Sequence, residues 1–127
     1  MTGKIAYTNA RVIDPASGVD HAASESGGVL TDGSSIVAMG PDIFNVGRPA
    51  VEEIVNCGGA VLAPGLVDMR VDFCEPGAEH KEDIESGSKA AAAGGVTAVV
   101  TLPDTKPAID DSSVLEFVAR RARDVKL

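Results

Sequence analysis

The stretch GLVDMRVDFCEPG, residues 65–77, decides how the rest of the chain is read. Residues 65–73 form an apolar run of strand length, and the Pro76-Gly77 pair that follows predicts a type II turn. Within the run the polar residues Asp68, Arg70 and Asp72 recur at every second position, which in a strand aims all three at one face. Downstream, residues 79–93 (EHKEDIESGSKAAAA) predict a helix, with Glu79, Glu82 and Asp83 near its positive end and Gly94-Gly95 as its stop. VTAVVTL, residues 96–102, is a β-branched run suited to a strand covered on both faces. After a loop at 103–110 (PDTKPAID), Ser113 to Glu116 offers a capping box, and Val114, Val118, Ala122 and Val125 keep helical spacing. The order β-α-β-α asks for parallel strands joined by right-handed crossovers. Two such strands leave faces and edges in need of cover. The residues expected to be left open are Leu66, Val71, Val99 and Leu102.

Upstream of residue 63 the pattern differs. KIAYTNARVID (4–14) predicts two short strands around Asn9, and DPASGVD (14–20) is a turn cluster. GGVLTDGSSIVAMG (27–40) predicts a hairpin over Asp32-Gly33, and VEEIVNCGGAVLAPG (51–65) a second over Gly58-Gly59. Short strands and tight turns without helical periodicity indicate a small β-sheet or sandwich over 1–62, followed by the α/β part over 63–127.

The 127 residues carry 11 Lys and Arg against 19 Asp and Glu, a formal charge of −8, so a general electrostatic grip on nucleic acid or an anionic membrane is not expected. The basic residues Arg120, Arg121, Arg123 and Lys126 cluster where they would complement a helix C-terminus. Cys57 and Cys74, the only two cysteines, form no CxxC pair and are expected as reduced thiols in a cytoplasmic protein. The first ten residues hold no apolar leader segment, and no apolar run reaches about 18 residues. No glycine-rich phosphate loop is present.

Residues 61–110, VLAPGLVDMRVDFCEPGAEHKEDIESGSKAAAAGGVTAVVTLPDTKPAID, closely resemble the dihydroorotase branch of the amidohydrolase superfamily. The shared frame is the Ala-Pro-Gly entry to the strand, the Glu-Pro-Gly turn, His-Lys-Glu, the alanine-rich helix ending Gly-Gly, and the Pro-Asp-Thr-Lys-Pro loop. The resemblance implies a (β/α)8 barrel beside a small composite β-sandwich, of which this chain would supply the sandwich part and about two of the eight barrel units. In that family two histidines, spaced by one residue on the first barrel strand, bind zinc; their positions here are Arg70 and Asp72. A guanidinium has no lone pair to donate, and a single carboxylate is not a metal site. The family's substrate-binding arginine corresponds to Cys74, and its substrate-holding asparagine to Asp104. The next asparagine of that loop corresponds to Lys106. A bridging lysine, two further histidines and a catalytic aspartate are implied on later strands.

These substitutions lead to expectations of no catalytic residue, no metal ligand and no zinc. The first expectation for Arg70 and Asp72 is a mutual ion pair; the alternative is plain solvent exposure, and a surviving metal site ranks last. His80 falls in the family's His-Lys-Glu and is expected in a loop or helix start, far in sequence from His21. Cys74, beside Glu75 and Asp72, lacks the basic surroundings that activate a thiol. The resemblance also implies a role: inactive relatives of this kind associate with aspartate carbamoyltransferase in pyrimidine biosynthesis. Other expected partners are a second copy or a chain that completes the barrel. The competing expectation is the N-terminal piece of a zinc-dependent cyclic amidohydrolase.

Overall fold

A computed structural model describes residues 3–47 and 50–125, so Lys126 of the basic cluster lies outside the described residues. The chain divides into two units, Met1–Pro64 and Gly65–Leu127. Among the described residues, no helix is long and apolar enough to cross a membrane.

In the first unit, β1 (Lys4–Thr8) lies between β4 (Gly28–Asp32), antiparallel, and β6 (Glu53–Asn56), parallel, and β5 (Ser35–Gly40) extends the sheet beyond β4. A second sheet has β2 (Arg11–Asp14) between antiparallel β3 (Val19–His21) and parallel β7 (Val61–Leu62). The turn cluster at 14–20 joins β2 to β3, where Asp14 accepts hydrogen bonds from the Ala16 N–H and the Ser17 hydroxyl. Those bonds hold the Asp14 carboxyl below its ordinary value, Ser17 contributing most. The β4–β5 hairpin turns at Gly33 as the sequence predicts; Gly33 has φ 56°, open to glycine at little cost.

The hairpin predicted over Gly58-Gly59 does not form. β6 and β7 belong to different sheets, each pairing in parallel with β1 or β2. The chain crosses from the first sheet to the second twice, at Asn9 and at residues 57–60, and the crossings bond to each other. Asn9 Nδ2 donates to Asn56 Oδ1 at 3.2 Å, and the Gly59 N–H donates to Asn9 O at 2.7 Å. A Gly-Gly pair signals a tight change of direction; which strand is met afterwards is set by the partner already waiting.

Alternation along β1 and β4 builds two small cores. Ala6 and Leu30 face Phe44, while Tyr7 and Val29 face Ala10, Val12 and Leu62, so the second cluster joins the two sheets. Gly28 (φ 149°) must be glycine, because a Cβ there would lie 1.8 Å from Tyr7 O.

In the second unit, β8 (Leu66–Val71) pairs in parallel with β9 (Val96–Thr101); α1 (Ile84–Ala93) connects them and α2 (Ser112–Asp124) follows. The helix predicted from residue 79 begins at 84 instead. Asp83 is the N-cap, accepting the Ser86 N–H at 2.7 Å, while Ser86 Oγ accepts the Asp83 N–H at 3.3 Å. This capping box uses serine in place of the usual Glu or Gln, so the signal sat four residues later than the acidic run suggested. Of the acidic residues before it, Glu79 serves a turn, accepting the Gly77 N–H at 2.9 Å, while Glu82 accepts the Ser86 hydroxyl at the helix start. Gly94 caps the C-terminus, and the Gly95 N–H returns to Ala92 O at 2.9 Å.

For α2 the N-cap is Asp111 and not Ser113. Its carboxylate accepts the N–H groups of both Ser113 and Val114, a better match to two free donors at a positive helix end than a hydroxyl. The type II turn at Pro76-Gly77 is also replaced: the Ala78 N–H donates to Cys74 O at 2.7 Å, a wider turn closed one residue earlier.

Among the described residues of this unit, Phe73, Ile84 and Val114 are the buried large apolar ones. Gly87 brings α1 onto the Phe73 ring, since a Cβ at 87 would sit 2.4 Å from Phe73 Cδ1. Of the four residues expected to be open, Leu66 is exposed and the other three are not. Val71, Val99 and Leu102 are half-buried, whereas Leu66, Val67, Met69 and Val100 are 62, 59, 71 and 48% exposed.

Candidate functional site

The loops leaving the C-terminal ends of β8 and β9 meet. The Leu102 N–H donates to Val71 O at 2.9 Å, and the Lys106 N–H donates to Pro76 O at 3.0 Å. Gly77 permits this approach: its φ is 109°, and a Cβ there would lie 2.2 Å from Lys106 O. Between the loops lies a cleft of about 320 Å³, lined by Asp72, Cys74, His80, Lys81, Asp104 and Lys106 among others. Clefts at the C-terminal ends of parallel strands are where α/β folds place ligands.

Three of the four residues singled out from the sequence, Asp72, Cys74 and Asp104, thus come together with Lys106, while Arg70 is not among the cleft-lining residues. Asp68, Arg70 and Asp72 are all exposed, and the expected Arg70–Asp72 ion pair is not formed. The carboxylates have nearer partners. Asp68 Oδ1 accepts the Arg70 N–H at 3.0 Å, and Asp72 Oδ1 accepts the Cys74 N–H at 2.7 Å. A side chain closing on the amide two residues ahead needs no second long side chain to be ordered, so local geometry outcompetes an exposed pair. Asp72 lies one residue beyond the end of β8, which breaks the strict alternation.

The residues present do not fit the zinc that the sequence resemblance implies. Arg70 offers no lone pair, and one oxygen of Asp72 is engaged by the backbone. Among the described residues, no group of three His, Cys, Asp or Glu side chains could hold a metal ion. His80 lines the cleft and His21 lies on β3 of the other unit. Both cysteines are free thiols. In the turn beneath the cleft, Glu79 is held below its ordinary carboxyl value, first by the Gly77 N–H.

The functional letters hid one buried group. Glu75 is 6% exposed, and its carboxylate accepts the Ile84 N–H at 2.9 Å and Arg121 Nε at 2.6 Å. Arg121 therefore does more than complement a helix end. The signal was available: 114, 118, 121 and 125 follow helical spacing, so Arg121 shares the stripe of Val114 and Val118.

A model of the family described as dihydro-orotase-like matches residues 59–126. The dihydroorotase of Wolbachia sp. subsp. Brugia malayi (strain TRS) is 52% identical over 120 residues, covering 94% of this chain and 26% of that protein. The dihydroorotase of Ehrlichia canis (strain Jake) is 49% identical over 119 residues, covering 93 and 26%. Among solved structures, the L-hydantoinase (dihydropyrimidinase) from Arthrobacter aurescens superposes with a TM-score of 0.77 at 20% identity, over 96% of this chain and 25% of that one. That last likeness shows shared fold. The chain spans about a quarter of the length of the relatives it matches.

Proposed function

The chain belongs to the dihydroorotase-like family, and on that premise we propose that it is a non-catalytic dihydroorotase-like piece with a structural role. The observation that carries this reading is the pair Arg70 and Asp72, which stand where the resemblance places two zinc-binding histidines, both exposed and neither poised toward a metal. The substrate positions have changed with them: Cys74 presents a thiol, and Asp104 a carboxylate that would repel an anionic substrate. Metal-activated water is the nucleophile in zinc hydrolases of cyclic amides, so losing the ligands removes the attacking group itself.

The two units then correspond to a composite β-sandwich and the first two βα units of a (β/α)8 barrel. This is supported by the parallel β8–α1–β9–α2 order and the superposition on a hydantoinase. Val67 and Met69 on β8 and Val100 on β9 are exposed apolar residues, and Leu66 is exposed on the opposite face of β8; such residues are suited to burial by further barrel strands or a second copy. The partner class that the family resemblance supports is aspartate carbamoyltransferase, in the cytoplasm, where two free thiols would stay reduced.

The second reading, an N-terminal piece of a zinc-dependent cyclic amidohydrolase, is favoured by identity of up to 52% to proteins named dihydroorotase. Hydrolysis of dihydroorotate by the protein at its natural length, with zinc supplied, separates the two. The expected result is no turnover above background. Turnover that disappears in Asp72→Asn would overturn the non-catalytic reading in favour of the second.

A further inference from the structure

Arg121 comes from the last turn of α2, yet its guanidinium is spent on a carboxylate 46 residues earlier. Nε donates to Glu75 Oε1 at 2.6 Å and Nη2 to Oε2 at 3.4 Å. Oε2 also accepts the Ile84 N–H, at the first helical residue of α1. One buried carboxylate therefore ties both helices to the segment that carries the cleft residues Asp72, Cys74 and His80. Such a group is stable only while its partners stay in place, because removing one leaves charge in a site poor in water. The Arg121 guanidinium is held above its ordinary value by Glu75 first, with Asp83 and Glu85 adding to it.

The segment held in this way is not one the chain adopts freely. Cys74 has φ 59°, in the left-handed region that non-glycine residues seldom occupy. Its N–H is bonded to Asp72 and its C=O to the Ala78 N–H, and Pro76 O receives the Lys106 N–H from the facing loop. Glu75 sits between these contacts, one residue from Cys74 and three from Asp72.

We propose that the Arg121–Glu75 pair is a latch through which the seating of α2 sets the conformation of residues 72–78 and so the shape of the cleft. Arg121 is a positioning residue that acts through Glu75. The inference is independent of whether the cleft ever holds a substrate or a metal, and its test reads no enzymatic activity.

Cys74 reports on the loop, and Cys57, on the other unit and also half-buried, is an internal control. Labelling of each thiol by iodoacetamide, followed by peptide mass spectrometry, gives two rates per protein. Arg121→Met should raise the Cys74 rate by about tenfold, the scale of one lost charge-assisted hydrogen bond, with Cys57 unchanged. Arg121→Lys, which keeps the charge but loses the planar fork, should lie between wild type and Arg121→Met. An unchanged Cys74 rate in Arg121→Met overturns the proposal. If Arg121→Met unfolds the chain, both thiols accelerate together and Arg121→Lys decides: selective acceleration of Cys74 supports the latch, and parallel or absent acceleration overturns it.

Discussion

Replacing Gly87 by alanine sets two effects of known sign against each other. Glycine in a helix interior is less favourable than alanine by about 1 kcal/mol, so an unobstructed Gly87→Ala would stabilise α1 by that amount. Here the new Cβ would lie 2.4 Å from Phe73 Cδ1, 2.7 Å from Cε1 and 3.3 Å from Glu82 Cγ. Carbon atoms pack at about 3.5–4.0 Å, so the ring or the helix must shift by about 1 Å. Phe73 is buried, so the ring cannot swing into solvent without exposing itself. Overpacking of this kind costs about 1–3 kcal/mol, which outweighs the propensity gain and leaves a net loss of about 1 kcal/mol. Thermal and urea unfolding followed by circular dichroism should show a midpoint lower by about 4 °C. The decisive control is the same substitution in a Phe73→Leu background, where the obstruction is smaller: Gly87→Ala should there become neutral or stabilising. A gain of about 1 kcal/mol in the wild-type background would refute the argument, because it would mean that α1 does not rest on the Phe73 ring.

Acid should destabilise the fold through the helix caps. The carboxyls of Asp83 and Asp111 are held below their ordinary value, Asp83 chiefly by the Ser86 N–H and Asp111 chiefly by the Ser113 hydroxyl. With folded values depressed, the unfolded chain takes up protons first. The stability they contribute is whole above about pH 4 and is lost as pH falls through the folded values. Urea midpoints at pH 7, 5 and 3 should fall only over the last interval, and Asp83→Asn with Asp111→Asn should flatten that fall; an unchanged slope would contradict the assignment. The exposed residues of β8 and β9 should drive self-association at micromolar concentration, and Met69→Lys with Val100→Lys should weaken it in sedimentation velocity. A monodisperse wild-type monomer that binds no hydrophobic dye would show that this surface is covered.

Much of this architecture is legible in the sequence because local rules suffice for it. The β-branched run at 96–101, the Gly94-Gly95 stop and the hairpin turning at Gly33 each depend on a few adjacent residues, and each forms. Gly58-Gly59 marks a turn equally well, but β6 pairs with β1 and β7 with β2, strands some fifty residues away that no local pattern points to. The start of α1 was misplaced because acidic residues from 79 onward resemble a helix start, and only the Asp83–Ser86 reciprocity fixes the boundary. At the candidate site the frame showed which positions would converge, and Asp72, Cys74 and Asp104 do. The Arg70–Asp72 pairing failed because alternation constrains side-chain direction only within a strand, and β8 ends at Val71. Glu75 falls in the Glu-Pro-Gly turn and Arg121 on the helical stripe of Val114 and Val118, but their partnership joins residues 46 apart and neither local pattern encodes it.

The central claim is that this strand end does not hold zinc, and metal content tests it most directly. The protein, purified at its natural length and dialysed after exposure to zinc, would be analysed by inductively coupled plasma mass spectrometry alongside Asp72→Asn. The expected result is well under one equivalent of zinc per chain, the same in both proteins. One tightly held zinc per chain in the wild type, lost in Asp72→Asn, would contradict the account.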